Sequence, residues 1–424
     1  MRFLPSYLLG AARYNAGLRL RAYHSSMKFC GILLLFSLAS TIAAAAKESP
    51  CTVTQYRTQH EAAVRVREAA RSLATIEAAT METDVPPEAQ IRIPKLKAAV
   101  QDFVPTVFAC LPDDQDARPV ERLLNRMAGV ADLSPNDQPS DINKPLSGFY
   151  GTPVHFEVTA QGNNREVFGV LAAFGVECGD DAVLFVFERE GKTWIEKITA
   201  TSNPYKSVGD AWGDLQYSIS PPDPTGHWFV LLARDHPWCS SRFNGIEIRI
   251  LRPGATPGQP VVILNVNDGL NRGDINTRLS AKADMAEVIF DKPGQDVETL
   301  LDYVGIQKYA IRGDQAVRVQ PVARDLRGFI EEWLGNSWDL ARILSSNTPD
   351  VQAAHEAIRK KQQGEHATYF GHGKTRQCGP EMFEAEMFDG LDRLANWYFT
   401  IRKLKDGWLV ERVAQTENPA CRAK

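Results

Sequence analysis

Hydrophobic residues between positions 52 and 132 recur at intervals of three and four, the spacing that forms one apolar stripe on an α-helix. Three such runs are present: Val66, Ala69, Ala70, Leu73 and Ile76; then Leu96, Ala99, Val100, Phe103, Val104, Val107, Phe108 and Leu111; then Val120, Leu123, Leu124, Met127 and Val130. Pro86-Pro87 separates the first run from the second. Because each stripe must be buried against a partner, residues 47–132 are predicted to form an α-helical hairpin or small bundle.

The pattern changes after residues 133–148, a segment rich in turn-forming residues that is predicted to be a linker. Residues 149–325 contain short runs of Val, Ile, Phe and Trp between Gly, Asp, Asn and Pro, a pattern typical of β-strands. Pairs of these runs predict hairpins. The predicted pairs are 182–188 with 193–198, 245–251 with 261–265, 309–311 with 316–319 and, further along the chain, 398–404 with 408–413.

A repeat of 61 residues indicates how these strands are organised. The run that begins at Val167 aligns with the run that begins at Trp228, and a second step reaches Ile289 in a weaker copy. The same offset carries Cys178 onto Cys239, and Phe187 onto Ile248 and then Tyr309. A β-meander cannot bury both of its own faces, so repeated meanders are expected to stack on one another. The predicted fold is therefore mainly β, with propeller-like repeated units or, alternatively, a β-sandwich.

Two further segments complete the predicted organisation. Residues 326–364 contain helical runs around Trp333 and Trp338 and are predicted to be a short α-helical insertion. Residues 365–424 are predicted to be a C-terminal β-hairpin unit with a tail.

The first 46 residues carry five basic residues and no acid, although the whole chain has a net charge of −4. From Met27, a lysine precedes an uncharged apolar run that ends in four alanines, a pattern typical of a secretory signal peptide. We therefore predict that residues 1–46 are a signal region, with Met27 as an alternative start. A membrane anchor is the less favoured alternative, and we predict no membrane span after cleavage. The rest of the chain is acidic, which argues against nucleic acid as a partner.

Cysteine spacing supports export to the periplasm or the extracellular space. Six cysteines follow the signal region, an even number typical of disulfides in exported proteins. The helical hairpin predicts a disulfide bond between Cys51 and Cys110, and the repeat predicts one between Cys178 and Cys239. The remaining cysteines, Cys378 and Cys421, are then predicted to form the third.

Candidate chemistry is concentrated in loops of the repeated region. Four acids in loops are the candidates for general acid–base catalysis: Asp180, Asp181, Asp210 and Asp214. A second group is the candidate binding surface: Trp212, Asp235, His236 and Trp238. For the segment that begins at Asp235 a structural role is the favoured alternative, because residues so close in sequence rarely form catalytic pairs. Most tryptophans of the chain are expected in the core, but Trp212 and Trp238 lie in predicted loops and are the best candidates for a binding surface.

No cofactor or metal is predicted. His366, His372 and Cys378 could supply metal ligands, but oxidation of Cys378 would leave only two of them. The segment 265–274 resembles a calcium loop only weakly and is interpreted as a turn. Standard catalytic and nucleotide-binding strings are absent.

The favoured hypothesis is therefore an exported, non-catalytic protein that binds a small molecule, a glycan or a protein. The first alternative is an exported hydrolase, acting on saccharides, with carboxylates from separate repeat loops. The second alternative is an envelope-associated adaptor that would expose an apolar stripe on residues 91–111. Nothing in the pattern specifies an oligomeric state.

Overall fold

The computed structural model describes residues 51–76, 84–112, 115–129, 150–151, 154–161, 166–177, 179–237, 243–271, 277–294, 302–362, 370–389 and 395–422. Residues 1–50 and 130–149 lie outside this part, so the signal region and the linker at 133–148 stay predictions. Among the described residues, no helix is long and apolar enough to cross a bilayer.

Seven α-helices are present in the described chain; the first six lie in segments that the sequence predicts to be helical, whereas the short α7 in the C-terminal tail was not predicted. The helices are α1 (Val53–Leu73), α2 (Pro87–Phe108), α3 (Ala117–Ala128), α4 (Leu326–Gly335), α5 (Trp338–Ala341), α6 (Pro349–Gln362) and α7 (Pro419–Arg422). Thr52 caps α1 in a reciprocal arrangement with Gln55, and Pro87 lies at the start of α2, where its missing N–H costs no helical bond. Helix α2 continues through Pro105 to Phe108.

Four separate sheets follow, each an antiparallel meander of four strands in chain order. Sheet 1 contains β1 (His155–Ala160), β2 (Val167–Val176), β3 (Gly179–Glu190) and β4 (Thr193–Thr201). Sheet 2 contains β5 (Leu215–Ile219), β6 (Val230–Asp235), β7 (Phe243–Pro253) and β8 (Pro260–Asn271). Sheet 3 contains β9 (Arg278–Lys282), β10 (Met285–Lys292), β11 (Tyr303–Arg312) and β12 (Gln315–Arg318). Sheet 4 contains β13 (Phe370–Gln377), β14 (Met382–Asp389), β15 (Ala395–Leu404) and β16 (Gly407–Ala414).

These sheets confirm the predicted repeated β-meanders, and they are open sheets. The four predicted hairpins are the last two strands of the four sheets. The 61-residue offset relates the second strands β2, β6 and β10 to one another, and likewise the third strands β3, β7 and β11. Matched residues also face each other: Leu171 and Leu232 lie in one core between sheets 1 and 2, and Ile248 and Tyr309 lie in one core between sheets 2 and 3.

Stacking buries both faces of the first two sheets, so β2 and β6 are buried at every position, including the charged Arg234 and Asp235 at the end of β6. Along β2, Phe168 and Val170 pack against the N-terminal helices, whereas Val167 and Leu171 pack against sheet 2. This division follows from the period of two along a strand. The helices α1 to α3 therefore share one hydrophobic core with sheet 1. Helices α4 to α6 pack against sheet 4 in another core, which also includes Tyr303 of β11.

Two of the predicted disulfides are present in the described residues. Cys51 is bonded to Cys110 and Cys378 is bonded to Cys421, with Cα atoms 5.1 and 4.8 Å apart. The second bond ties α7 to sheet 4, as the cysteine spacing predicts. Cys178 and Cys239 lie outside the described residues, so their pairing remains a prediction. Two disulfides are compatible with an exported protein.

One sequence interpretation is wrong. Residues 265–271 do not form a turn, because they are the last half of β8 and pair with β7 from Asn265 opposite Arg249 to Asn271 opposite Phe243. The Asn and Asp residues therefore occupy strand positions, where cross-strand pairing outweighs their turn preference. Residues 272–274 lie outside the described part of the chain.

Buried tyrosines predict a loss of stability in alkali. Burial is the largest cause that raises the pKa of Tyr150, Tyr205, Tyr217, Tyr303 and Tyr309. In the unfolded chain they ionise near pH 10, so the unfolded state releases protons that the native state keeps. Above about pH 10, each tyrosine should lower the free energy of unfolding by about 1.4 kcal/mol per pH unit, and the contribution is intact below that pH.

A spectrophotometric titration at 295 nm will check this expectation. We expect these five tyrosinates to form together, in the step that also abolishes the native circular dichroism signal. Tyr303→Phe should reduce the amplitude of that step by one tyrosinate. Gradual ionisation of all tyrosines before unfolding would contradict the prediction.

Candidate functional site

The candidate site lies where sheets 1 and 2 meet at the loops that connect their strands. Three chain segments contribute: the start of β3, the connection from β4 to β5, and the end of β6 with the residues that follow. These segments carry all the predicted site residues that the structure describes. Trp238, the remaining one, lies outside the described residues.

Asp181 forms the centre of a buried network on one side of the site. Its side chain is fully buried and pairs with the ammonium of Lys97 on α2 at 2.5 Å. It also accepts hydrogen bonds from Tyr205 Oη at 3.0 Å and from Ser202 Oγ at 3.1 Å. The backbone N–H groups of Ala182 and Trp212 also donate hydrogen bonds to the Asp181 carboxylate. Asp181 therefore has the partners that a buried carboxylate requires, and it does not face a substrate.

Lys97 is the cation of this network and is 6% exposed. It also donates a hydrogen bond to Ser202 Oγ. Burial lowers the pKa of the Lys97 ammonium, and the neighbouring Asp181 carboxylate opposes the shift. The network joins α2 to the β4–β5 connection, so it holds in place the loop that forms one wall of the site.

Three more acids, Asp180, Asp214 and Asp235, interact next to this network. Burial raises the pKa of Asp180, and the Asp214 carboxylate raises it further. His155 acts in the opposite direction, and Asp235 and Asp181 add smaller increases. Asp235 is itself buried and accepts a hydrogen bond from the Asp214 N–H at 2.8 Å. The acids that the sequence placed in separate repeat units are therefore neighbours in space.

Gly213 makes this close arrangement possible. A Cβ atom at that position would lie 2.5 Å from the Asp235 backbone oxygen, a distance too short for any side chain. His236, next along the chain, binds the carbonyl of Gly209 through Nδ1 at 2.7 Å and donates its backbone N–H to Gly245 O. His236 therefore links the β4–β5 connection to β7.

Trp212 does not present its ring face as a binding platform. Its side chain is 1% exposed, and the Arg249 guanidinium lies over the ring at 5.5 Å from the centroid. The ring packs in the core between sheets 1 and 2, a position that the sequence analysis assigned to the other tryptophans and not to Trp212.

A cavity of 290 Å³ opens beside Trp212. Its lining consists of Thr201, Ser202, Asn203, Pro204, Tyr205, Asp210, Trp212, Arg234 and Arg249. The β4–β5 connection supplies most of these residues, and sheet 2 supplies the two arginines. A smaller cavity of 160 Å³ on α2 shares Thr201, Ser202, Pro204 and Tyr205 with it. The volume of the first cavity is close to the lower end of the about 300–1,000 Å³ typical of small-molecule sites.

The two arginines were not identified from the sequence, although a signal for them exists. Residues 245–250 alternate isoleucine with Glu247 and Arg249, which places both charged residues on one face of β7. Arg234 lies directly opposite Glu247 in the β6–β7 register and pairs with it. Burial acts to raise the pKa of Glu247, but Arg234 and Arg249 outweigh burial and hold the pKa below its ordinary value.

The other sequence hypotheses find no matching site in the described residues. His372 pairs with Glu331 at 2.5 Å and Cys378 is oxidised, while His366 lies outside the described residues. No group of metal-binding side chains is found in the described part of the chain. The apolar stripe of residues 91–111 is buried in the core with sheet 1, except for Ile91, which is 61% exposed.

A larger groove of 630 Å³ between α1 and α2 is a weaker candidate. Its charged side chains pair with one another, as in Arg92 with Glu88 at 2.8 Å and Arg65 with Asp102 at 3.7 Å. These exposed pairs have no buried polar group that would need a ligand.

Comparison with protein-family models and with curated protein sequences finds no match. Among solved structures, one similarity is to the crystal structure of an α-L-arabinofuranosidase from Podospora anserina in complex with cellotriose. The identity is 10% and the TM-score is 0.14, over 39% of this chain and 66% of that chain, just under two thirds of its length. A likeness of this extent carries no argument about fold or function. The comparisons therefore place the chain in no family.

Proposed function

We propose that this protein is an exported binding protein for a small polar ligand, and that the ligand occupies the 290 Å³ cavity beside Trp212. The observation that carries the proposal is the cavity itself. Its walls come from sheet 2 and from the segment that joins sheet 1 to sheet 2, and polar side chains line most of it. Specificity in such sites comes from a few precisely placed polar groups on a rigid scaffold.

The scaffold supports this proposal because it holds the cavity walls in place before any ligand binds. The Asp181 network fixes the Ser202–Tyr205 wall, and Arg234 donates to the carbonyl of Ala211 at 2.9 Å on the other side. A site that is already formed loses little entropy when a ligand binds.

Thermal unfolding with and without candidate ligands will test the proposal. The panel consists of neutral monosaccharides, sugar acids, amino acids and dicarboxylic acids. A ligand at 100 times its dissociation constant should stabilise the native state by about 2.7 kcal/mol. Asn203→Trp places a bulky ring at an exposed position in the cavity lining and should abolish the stabilisation.

Lys192→Trp is the matched control, because Lys192 is exposed in the turn between β3 and β4 of sheet 1 and does not line the cavity. It should bind ligand as the native chain does. If no class in the panel stabilises the protein, or if Asn203→Trp is stabilised equally, the proposal is wrong.

One observation favours a second candidate function, the exported hydrolase acting on saccharides. Burial and the neighbouring Asp214 carboxylate raise the pKa of Asp180, and glycoside hydrolysis requires a carboxyl group with a raised pKa near a second acid. Turnover of aryl glycosides, lost in Asp180→Asn, would support catalysis. Binding without turnover would support the first proposal.

A further inference from the structure

Two guanidinium groups in the proposed cavity share a single carboxylate. Arg234 donates Nε–H to Glu247 Oε2, and Arg249 donates Nε–H to Glu247 Oε1 at 2.6 Å. Arg249 Nη2 lies 2.5 Å from the same oxygen. Two positive charges therefore face one negative charge within this group of three, and the other charged side chain of the cavity lining is the exposed Asp210.

Both guanidiniums also keep unused hydrogen-bond donors. A guanidinium has five N–H donors in a planar fork. Within the described residues, Arg234 uses Nε and Nη1, and Arg249 uses Nε and Nη2, so Arg234 Nη2 and Arg249 Nη1 have no protein acceptor. Arg234 is only 8% exposed, and both residues line the cavity. Neither nitrogen is among the fully buried side-chain atoms that lack a partner in the described residues, so both donors are open to solvent.

The Arg249 guanidinium lies over the Trp212 ring, but the ring does not neutralise its charge or accept its hydrogen bonds as a carboxylate does. The planar, charged fork is suited to an oxyanion, because a carboxylate can accept from two N–H groups at once. Asp210 also lines the cavity and is exposed, and its carboxylate can only accept hydrogen bonds. A complementary ligand therefore brings both an anionic acceptor and a donor.

We propose that the cavity binds a small carboxylic acid that also carries hydroxyl or ammonium groups. Its carboxylate accepts from Arg234 and Arg249, and its donors bind Asp210 and the Ser202–Asn203 wall. The cavity volume of 290 Å³ suits a molecule of about one sugar ring. This inference rests on the proposed binding function and specifies its ligand class.

Isothermal titration calorimetry will test the ligand class. The probes are D-glucuronate and D-gluconate as hydroxy acids, L-serine and L-glutamate as amino acids, and D-glucose as the neutral counterpart of glucuronate. We expect binding by at least one of the two acid classes and none by glucose. Which class binds distinguishes hydroxyl from ammonium donors, and Asp210→Asn should weaken ammonium binding more than hydroxyl binding.

Variants at Arg249 test the role assigned to its guanidinium. Arg249→Gln removes one of the two guanidinium groups that would bind the carboxylate and should weaken binding of the acid by roughly 10- to 100-fold. Arg249→Lys keeps the positive charge but lacks the planar guanidinium. This variant should bind the acid with intermediate affinity, which would show that the weaker binding of Arg249→Gln is not caused by misfolding. Arg402→Gln is the matched control, because Arg402 is a strand arginine paired with Glu411 at 2.9 Å in sheet 4.

The outcomes separate this inference from the proposed function. Equal binding of glucose and glucuronate, unaffected by Arg249→Gln but abolished by Asn203→Trp, would overturn the ligand class and keep the cavity as the site. Binding that Asn203→Trp does not affect would overturn both. Absence of binding by every acid in the panel would also overturn the ligand class.

Discussion

Replacing Asp181 by Ala will lower the free energy of unfolding by about 3–5 kcal/mol, because it leaves the Lys97 ammonium buried without its counter-ion. Ser202, Tyr205 and the N–H of Trp212 lose their acceptor at the same time. Lys97→Met should cost less, because Asp181 keeps those donors and the methionine fills a similar volume. Urea unfolding monitored by tryptophan fluorescence will measure both effects.

The double variant separates the buried charge from the packing. Asp181→Ala combined with Lys97→Met contains no buried ammonium and should be more stable than Asp181→Ala alone. Asp406→Ala, in an exposed turn of sheet 4, is the control and should change stability by less than about 0.5 kcal/mol. A double variant less stable than Asp181→Ala would show that the ion pair is not the origin of the effect.

The pH dependence of Asp181→Ala provides a second measurement of the same effect. Asp181 is the group that most opposes the lowered pKa of Lys97, so without it that pKa falls further. Between the native pKa and the unfolded value of about 10.4, the unfolded state binds more protons than the native state. The stability of the variant therefore rises with pH in that range, and its deficit should be larger at pH 6 than at pH 9. In Lys97→Met variants this dependence should disappear.

Phe108→Ala is expected to cost about 3–5 kcal/mol, as the loss of a fully buried aromatic ring usually does. Phe108 ends α2 and stacks on Phe187 of β3 with ring centroids 3.8 Å apart. It also contacts Phe168 and Trp194 edge-on at 6.4 and 5.8 Å. These rings join the N-terminal helices to sheet 1. The helices and the sheet should therefore unfold in one transition, and Phe108→Ala should shift that transition as a whole. A urea titration that follows both the circular dichroism of the helices and tryptophan fluorescence will show whether the two signals change at the same urea concentration.

Phe383→Ala is the matched control for the aromatic ring. Phe383 is only partly buried in sheet 4, where it contacts Trp408 edge-on at 5.4 Å, so its loss should cost clearly less. Phe108→Leu tests the same position if the alanine variant does not fold. Separate transitions for the helical and fluorescence signals would show that residues 53–128 unfold independently of sheet 1.

Much of the architecture could be predicted because it depends on local periodicity. Spacing of three and four residues predicted the helices, and strand runs around short turns predicted the hairpin that ends each sheet. The 61-residue repeat predicted which strands correspond. The helical hairpin predicted the disulfide between Cys51 and Cys110, and the remaining pair, Cys378 and Cys421, followed by elimination. The interpretation of residues 265–271 as a turn was wrong, because the preference of Asn and Asp for turns was weaker than the pairing of these residues with β7.

The candidate site could be predicted only in part. The candidate acids and Trp212 could be found because charged and aromatic residues stand out in turn-rich segments, although Asp180 and Asp181 lie in β3 and not in a loop as predicted. The partners that define their roles come from distant positions. Lys97 is 84 residues before Asp181, and neither α2 nor β7 carries a motif that indicates a ligand.

By itself, the sequence determined the types of element, their order, the repeated meanders and which side chains could carry charge. These properties arise from backbone preferences and from the spacing of apolar residues along a few turns or strands. Only the tertiary structure decided that Asp181 is sealed inside a network, that Trp212 is covered by Arg249 and that two arginines border a cavity. Burial and partnership depend on contacts between residues far apart in the chain, and those contacts set whether a charged side chain stabilises the fold or faces a ligand.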